Sequence, residues 1–343
     1  MPTAMLPEGA YPATGPARDR FVIERRGGRP PHDPWRYQGL IIDDELGPNG
    51  RIERVAAVLL TGRECPWRCV MCDLWKHTVS FDTPVGSIPR QIRQAREEIA
   101  RRREDVTQLK LYNAGSFLDP RAVPERDYRA IAEELVSLDR VIVESHPALI
   151  GPRLDRWLAA LAEGSGAGAR RIQLEVAMGL ETAHPRALER LHKGMTLDTF
   201  REAADALRQA GVALRVFLLI QPPFVEPQLQ DAWLLESVAV SFASGATAVS
   251  LVPTRPGNGA LEALAACGDF RAPRLGDIER SVTLTLDQPG MRGRLFVDIW
   301  DLGRFSDCPY CLEPRRARLH AMNLSQTVLP DIRCAHCSAR KPA

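Results

Sequence analysis

The chain has 343 residues, of which 45% are hydrophobic and 26% charged, and a net charge of +2 at neutral pH. That length suits one large α/β barrel-type domain with extensions, or two smaller domains. No apolar run approaches the roughly 20 residues of a membrane span, and Met1 to Pro16 has neither the basic start nor the apolar stretch of a secretory leader, so the expectation is a cytoplasmic protein with no membrane partner.

Residues 1–34 are rich in Pro, Arg and Gly and read as an irregular N-terminal arm. From residue 35 to 303, short aliphatic runs alternate with longer amphipathic ones, the pattern of βα units on a parallel sheet. Strands are expected at Val55–Leu60, Gln108–Tyr112, Arg140–Glu144, Arg171–Val176, Ala213–Ile220, Ala248–Val252 and Leu295–Ile299. Helices are expected at Pro89–Arg103, Glu125–Ser137, Pro152–Glu163, His184–Leu191, Thr199–Ala210, Pro227–Phe242 and Arg274–Leu286, with Gly164–Gly168 as a flexible connector. This order predicts a partial (β/α)6-type TIM barrel. Residues 304–343 form a C-terminal metal-binding extension. Sites on such folds gather where strands end, and the chemically loaded segments here follow strands.

Eight cysteines in a cytoplasmic chain point to metal rather than disulfides. Cys65, Cys69 and Cys72 fall directly after the first expected strand. Three thiolates so close in sequence can bind three irons of a cubane [4Fe–4S] cluster and leave the fourth iron open to an external ligand. A zinc knuckle needs a fourth ligand, which His77 would supply at an awkward distance. Cys308/Cys311 and Cys334/Cys337 form two C-x2-C pairs. Four thiolates close a tetrahedral zinc site, and they equally satisfy an auxiliary iron–sulfur cluster. Cys267 has no partner pattern and reads as a small apolar residue.

The C-x3-C-x2-C spacing after a first strand resembles the radical S-adenosylmethionine (SAM) superfamily. That resemblance implies that SAM chelates the open iron. One electron, from a flavodoxin- or ferredoxin-type reductant, then splits its sulfonium to a 5′-deoxyadenosyl radical. It also implies SAM contacts. Asn113, Gly115 and Ser116 stand where the family has a Gly-Gly-Glu-type turn, and Glu175 and Glu181 stand in its fourth-strand region. The family's aromatic beside the third cysteine is here Met71, with Trp67 nearby. Lys193-Gly194 reads either as a recurring basic-Gly pair or as a helix end with a favourable cation and a Gly cap. Arg215, inside an apolar strand, must find a partner, either a SAM carboxylate or a structural salt bridge.

Within the superfamily, Asn113-Ala-Gly-Ser-Phe-Leu-Asp-Pro, Glu144-Ser-His-Pro, Gly179-Leu-Glu-Thr, Leu219-Ile-Gln-Pro-Pro-Phe and Met322-Asn-Leu-Ser-Gln are similar to the radical SAM subunit of archaeosine synthase, a branch related to the catalytic subunit of Elongator. That likeness implies work on a modified transfer-RNA base by radical C–N cleavage. Gln221 and Pro253-Thr254-Arg255 depart from the branch, and radical chemistry on a peptide or small natural product is the alternative. A reading from another class is a non-catalytic, metal-stabilised RNA-binding module.

Overall fold

The computed structural model describes residues 11–164, 172–289 and 292–338, and most of the expected Gly164–Gly168 connector lies outside them. Eight strands form one sheet in chain order: β1 (Gly39–Leu46), β2 (Ile52–Leu59), β3 (Gln108–Tyr112), β4 (Arg140–Glu144), β5 (Gln173–Glu181), β6 (Ala213–Ile220), β7 (Ala246–Pro253) and β8 (Arg294–Val297). β1 pairs antiparallel with β2, and every later pair is parallel. The sheet curls into a half-barrel, the partial TIM barrel expected from the alternation of elements.

Helix α1 (Gly15–Glu24) precedes the sheet. The six crossovers then carry α2 (Ser87–Arg101), α3 (Tyr128–Leu135), α4 (Pro152–Gly164), α5 (Pro185–Arg190) with α6 (Leu197–Gln209), α7 (Gln230–Ala243), and α8 (Ala260–Ala266) with α9 (Leu275–Leu286). α10 (Pro309–Ser325) and α11 (Ala335–Ser338) follow the sheet. Apolar side chains of the crossover helices, such as Ile88, Ile92, Trp157, Phe200 and Ile278, pack against the outer face of the strands in one continuous core.

The arm expected to be irregular contains α1 among its described residues. Phe21 and Val22 bury against Val70, Leu191, Phe224 and Leu261 in a second, smaller apolar cluster. The arm therefore packs on the loop side of the barrel. Arg26 and Arg29 pair with Glu64, and His192 Nε2 lies 2.8 Å from Asp19.

The barrel's open side lies between the edge strands β1 and β8, and α10 covers it. Asn323 Oδ1 accepts from Val297 N (2.8 Å) and its amide nitrogen donates to Val297 O (2.9 Å). Gln326 does the same for Leu295 (2.6 and 2.8 Å). Residues three apart on a helix and two apart on a strand both repeat at roughly 5–7 Å. Two side-chain amides thus stand in for the missing ladder partner of an edge strand. His320 reaches Asp43 of β1 (3.1 Å) from the same helix. The C-terminal extension is in this way part of the barrel wall.

Candidate functional site

A cavity of about 360 Å³ runs down the inside of the half-barrel. Its walls are the alternate, inward-facing residues expected of period-two strands: Asp43 and Glu45 on β1, Lys110 and Tyr112 on β3, Phe217 and Leu219 on β6, Ser250 and Val252 on β7. Cys65, Cys69 and Cys72 line it from the loop after β2, with Trp67 and Met71.

That loop is held from several sides. Buried Gln91 of α2 exchanges hydrogen bonds with both backbone groups of Thr61 (2.8 and 2.9 Å) at its start. Asn258, after β7, donates to Val70 O (2.8 Å) and Cys72 O (3.3 Å) at its end. Between them, Glu64 receives Arg26, Arg29 and Arg68. A Cβ on Gly115 would stand 3.5 Å from Cys65 Cβ, so the turn after β3 lies directly against the first cysteine. Burial pushes the Cys65, Cys69 and Cys72 thiols up to about 12. Thiolates here need a compensating positive charge, which metal ligation supplies.

Around these thiols the strand ends bring together residues the sequence singled out and others it did not. Glu181 and Lys193 both line the cavity and pair at 2.6 Å. Burial works against the Lys193 charge, yet Glu181 holds the ammonium above the ordinary lysine range. Gly194 (φ +72°) allows close packing, since a Cβ there would meet the Trp67 ring at 2.8 Å. Trp67 stacks on His146 with ring centroids 3.6 Å apart. His146 Nδ1 accepts from Ala148 N (3.1 Å), so its Nε2 donates to Lys193 O (2.9 Å). Burial and then Lys193 push His146 down to about 4, and the ring is a neutral spacer with both nitrogens in use. Glu144 lines the cavity, and burial pushes it up to about 7.

Ala114, Glu181 and Gln221 take φ of +53°, +68° and +54° at the ends of β3, β5 and β6. Such conformations are costly for residues with a Cβ and concentrate at functional sites. Gly115 and Ser116 line the cavity, although Ser116 Oγ is used in accepting from His146 N (2.9 Å). Asn113 is fully buried behind the cavity wall and does not line it, with neither side-chain polar atom hydrogen-bonded.

Two expected SAM contacts stand elsewhere. Glu175 and Arg215 meet at 2.5 Å near the opposite, N-terminal ends of their strands. Glu175 does not line the cavity, and its second oxygen receives Arg294 at 3.3 Å. Arg215 also pairs with Glu45 of β1 (2.6 Å). Its charge is met within the protein, since two carboxylates already receive its guanidinium. Glu45 lies on β1, a strand whose run of acids masks its alternation in the sequence. Lys110 carries no spacing signal, and Glu144 stands in the sequence only as the start of the Glu144-Ser-His-Pro motif. Each becomes visible once strand alternation fixes which residues face inward.

The C-terminal cysteines gather as their spacing predicted. Cys308 Sγ is 3.9 Å from Cys334 Sγ, and Cys311 Sγ is 3.6 Å from Cys337 Sγ. All four lie within 4.8 Å of one another.

The family model of the radical SAM superfamily matches residues 59–231, half of the chain and all of the strand ends from the cysteine loop through β6. The chain belongs to the radical SAM superfamily. Its relatives include archaeosine synthase subunit beta from Methanosarcina acetivorans, 24% identical over 76% of this chain and 73% of the relative. The subunit of the same name from Thermococcus kodakarensis is 27% identical over 48% of this chain, which spans half of that relative's length. Among solved structures, the archaeal Methanocaldococcus infernus Elp3 superposes with a TM-score of 0.49 at 12% identity, over 68% of this chain and 59% of that one. Membership implies a [4Fe–4S] cluster and SAM.

Proposed function

We propose that this chain cleaves SAM reductively on a [4Fe–4S] cluster held by Cys65, Cys69 and Cys72, and directs the 5′-deoxyadenosyl radical at a modified transfer-RNA base. The observation that carries the reading is three half-buried thiols on one loop, facing the same cavity as the Glu181–Lys193 pair. A single tetrahedral ion 2.3 Å from each sulfur draws the sulfurs to about 3.8 Å apart.

Bound cluster and SAM together supply one-electron cleavage of a carbon–sulfur bond, and the chain's own residues bind and orient. Asn113 brings two buried, unpaired polar atoms to the end of β3, and Gly115 keeps the turn close to Cys65. Glu181 offers a carboxylate and Lys193 an ammonium to SAM's polar groups. Trp67, braced by His146, presents a ring beside them for the adenine. Glu175 and Arg215 are excluded from this set because they hold each other. The electron comes from a flavodoxin- or ferredoxin-type partner.

The C-terminal thiols suit one zinc ion, since their 3.9 and 3.6 Å separations bracket the value for a single tetrahedral centre. Likeness to archaeosine synthase subunit beta over three quarters of the chain favours a lysine-bearing deazaguanine in transfer RNA, with C–N cleavage. The test is incubation of anaerobically reconstituted protein, SAM and reductant with such RNA, followed by nucleoside mass spectrometry. Loss of the lysine mass supports the reading. Unchanged nucleosides alongside continued 5′-deoxyadenosine release move the substrate to a peptide or small natural product.

A further inference from the structure

The floor of the cavity, opposite the cysteine loop, holds an unbalanced group of charges. Glu45 and Glu175 are its buried carboxylates among the described residues; half-exposed Asp43, two residues back on β1, also faces the cavity and lies against His320. Lys110, Arg140, Arg215 and Arg294 are its four cations, with side chains 13, 9, 2 and 8% exposed. Lys110 and Arg215 share Glu45, while Arg215, Arg294 and Arg140 lie 2.5, 3.3 and 4.0 Å from Glu175. Burial first, and then crowding by Arg215 and Arg140, holds Arg294 below the ordinary arginine range despite Glu175.

Buried charge is tolerated when paired, and two surplus positive charges in a low-dielectric site favour an incoming anion. Of the six groups, Glu45, Lys110 and Arg215 line the cavity. The Lys110 ammonium has three donors, and one contact is accounted for, to Glu45. Ser250 Oγ accepts from Arg215 (3.4 Å) and retains its own proton to give. Directly above stand Tyr112, Phe217, Val252 and Phe296, an apolar and aromatic wall.

We propose that this floor is an anion subsite for the substrate, in which Lys110 and Ser250, backed by Arg215, receive a carboxylate or phosphate carried on a body seated against Phe217 and Phe296. The inference rests on the reading of this cavity as the reaction chamber. Its ligand class follows from the donors that Lys110 and Ser250 offer at the cavity and from the surplus of buried cations behind them. It places the anionic end of the substrate away from the thiols, so the substrate extends along the barrel axis.

The test is equilibrium binding to the full, anaerobically reconstituted chain, using 3-phenylpropionate, phenyl phosphate and neutral 3-phenylpropanamide as probes. At least one anion should bind about tenfold or more tightly than the amide, the scale of one charge-assisted hydrogen bond. Tighter binding of the carboxylate or of the phosphate tells which group the floor accepts. Lys110→Gln should remove that preference and Lys110→Arg should restore most of it. Equal binding of anion and amide, no binding of any probe, or an unchanged preference in Lys110→Gln overturns the proposal. Release of 5′-deoxyadenosine without substrate, measured in the same preparations, reports separately on the SAM reading. It should persist in Lys110→Gln.

Discussion

The Lys193 ammonium lies 2.6 Å from a Glu181 oxygen, over the α-carbon of Gly179. A Cβ at Gly179 would come within 2.2 Å of Glu181 Oε1 and 2.5 Å of Lys193 Nζ. The pair occupies the space that glycine leaves free. The motif Gly179-Leu-Glu-Thr and the distant Lys193-Gly194 are thus parts of one arrangement. Gly179→Ala should displace the flexible ends of both side chains while sparing the strand. We expect the thermal midpoint to move by only a few degrees and the dissociation constant for SAM to rise roughly tenfold, the scale of one charge-assisted contact. Scanning calorimetry of the reconstituted protein measures the first outcome and isothermal titration the second.

His146 gives the fold a dependence on acid. Its folded value of about 4 lies below the ordinary 6.5. Its stabilisation is therefore complete above pH 6.5 and is lost as pH falls toward 4. At pH 5 the loss is about 2 kcal/mol. Urea unfolding at pH 7.5 and pH 5 should show that difference narrowing by about this amount in His146→Asn. The variant should also be less stable at pH 7.5, because the stack with Trp67 is gone.

The amides of α10 make a prediction about the edge of the sheet. Asn323→Ala leaves the N–H and C=O of buried Val297 without partners. It should cost about 1–3 kcal/mol, and Gln326→Ala should cost a similar amount through Leu295. Exposed Thr327→Ala should stay within about 0.5 kcal/mol. Chemical denaturation of the three variants checks the ranking.

How far these relationships were legible depended on the kind of signal. The bounds of β3, β4 and β6 could be read directly, because each is a short aliphatic run between polar segments. β1 escaped because Gly39–Leu46 carries Asp43, Asp44 and Glu45, acids that disguise its alternation. Glu45 is the partner that makes sense of Arg215, so missing the strand left Arg215 available for SAM. Helix α10 was hidden by an internal Pro314 and an arginine-rich sequence. The cysteine groups were legible from spacing alone, since ligand spacing is local. The neutral tautomer of His146 and the contact between Gly179 and Lys193 depend on packing between distant segments, which no local pattern encodes.

The four C-terminal thiols should carry one metal ion distinct from the cluster irons. X-ray absorption should find zinc with four sulfur neighbours at about 2.3 Å. Cys334→Ser should lose that ion and lower the thermal midpoint by several degrees, because α10 starts at this site and covers the open side of the barrel. Iron with bridging sulfide at this position would contradict the single-ion assignment.

The claim that the cysteine loop makes a radical is tested most directly by anaerobic reconstitution with iron and sulfide, addition of dithionite and SAM, and quantification of 5′-deoxyadenosine. The account predicts its formation by the wild-type chain and its absence in Cys69→Ala. Persistence of the product in Cys69→Ala, or none from a wild-type chain shown spectroscopically to hold its cluster, would contradict it.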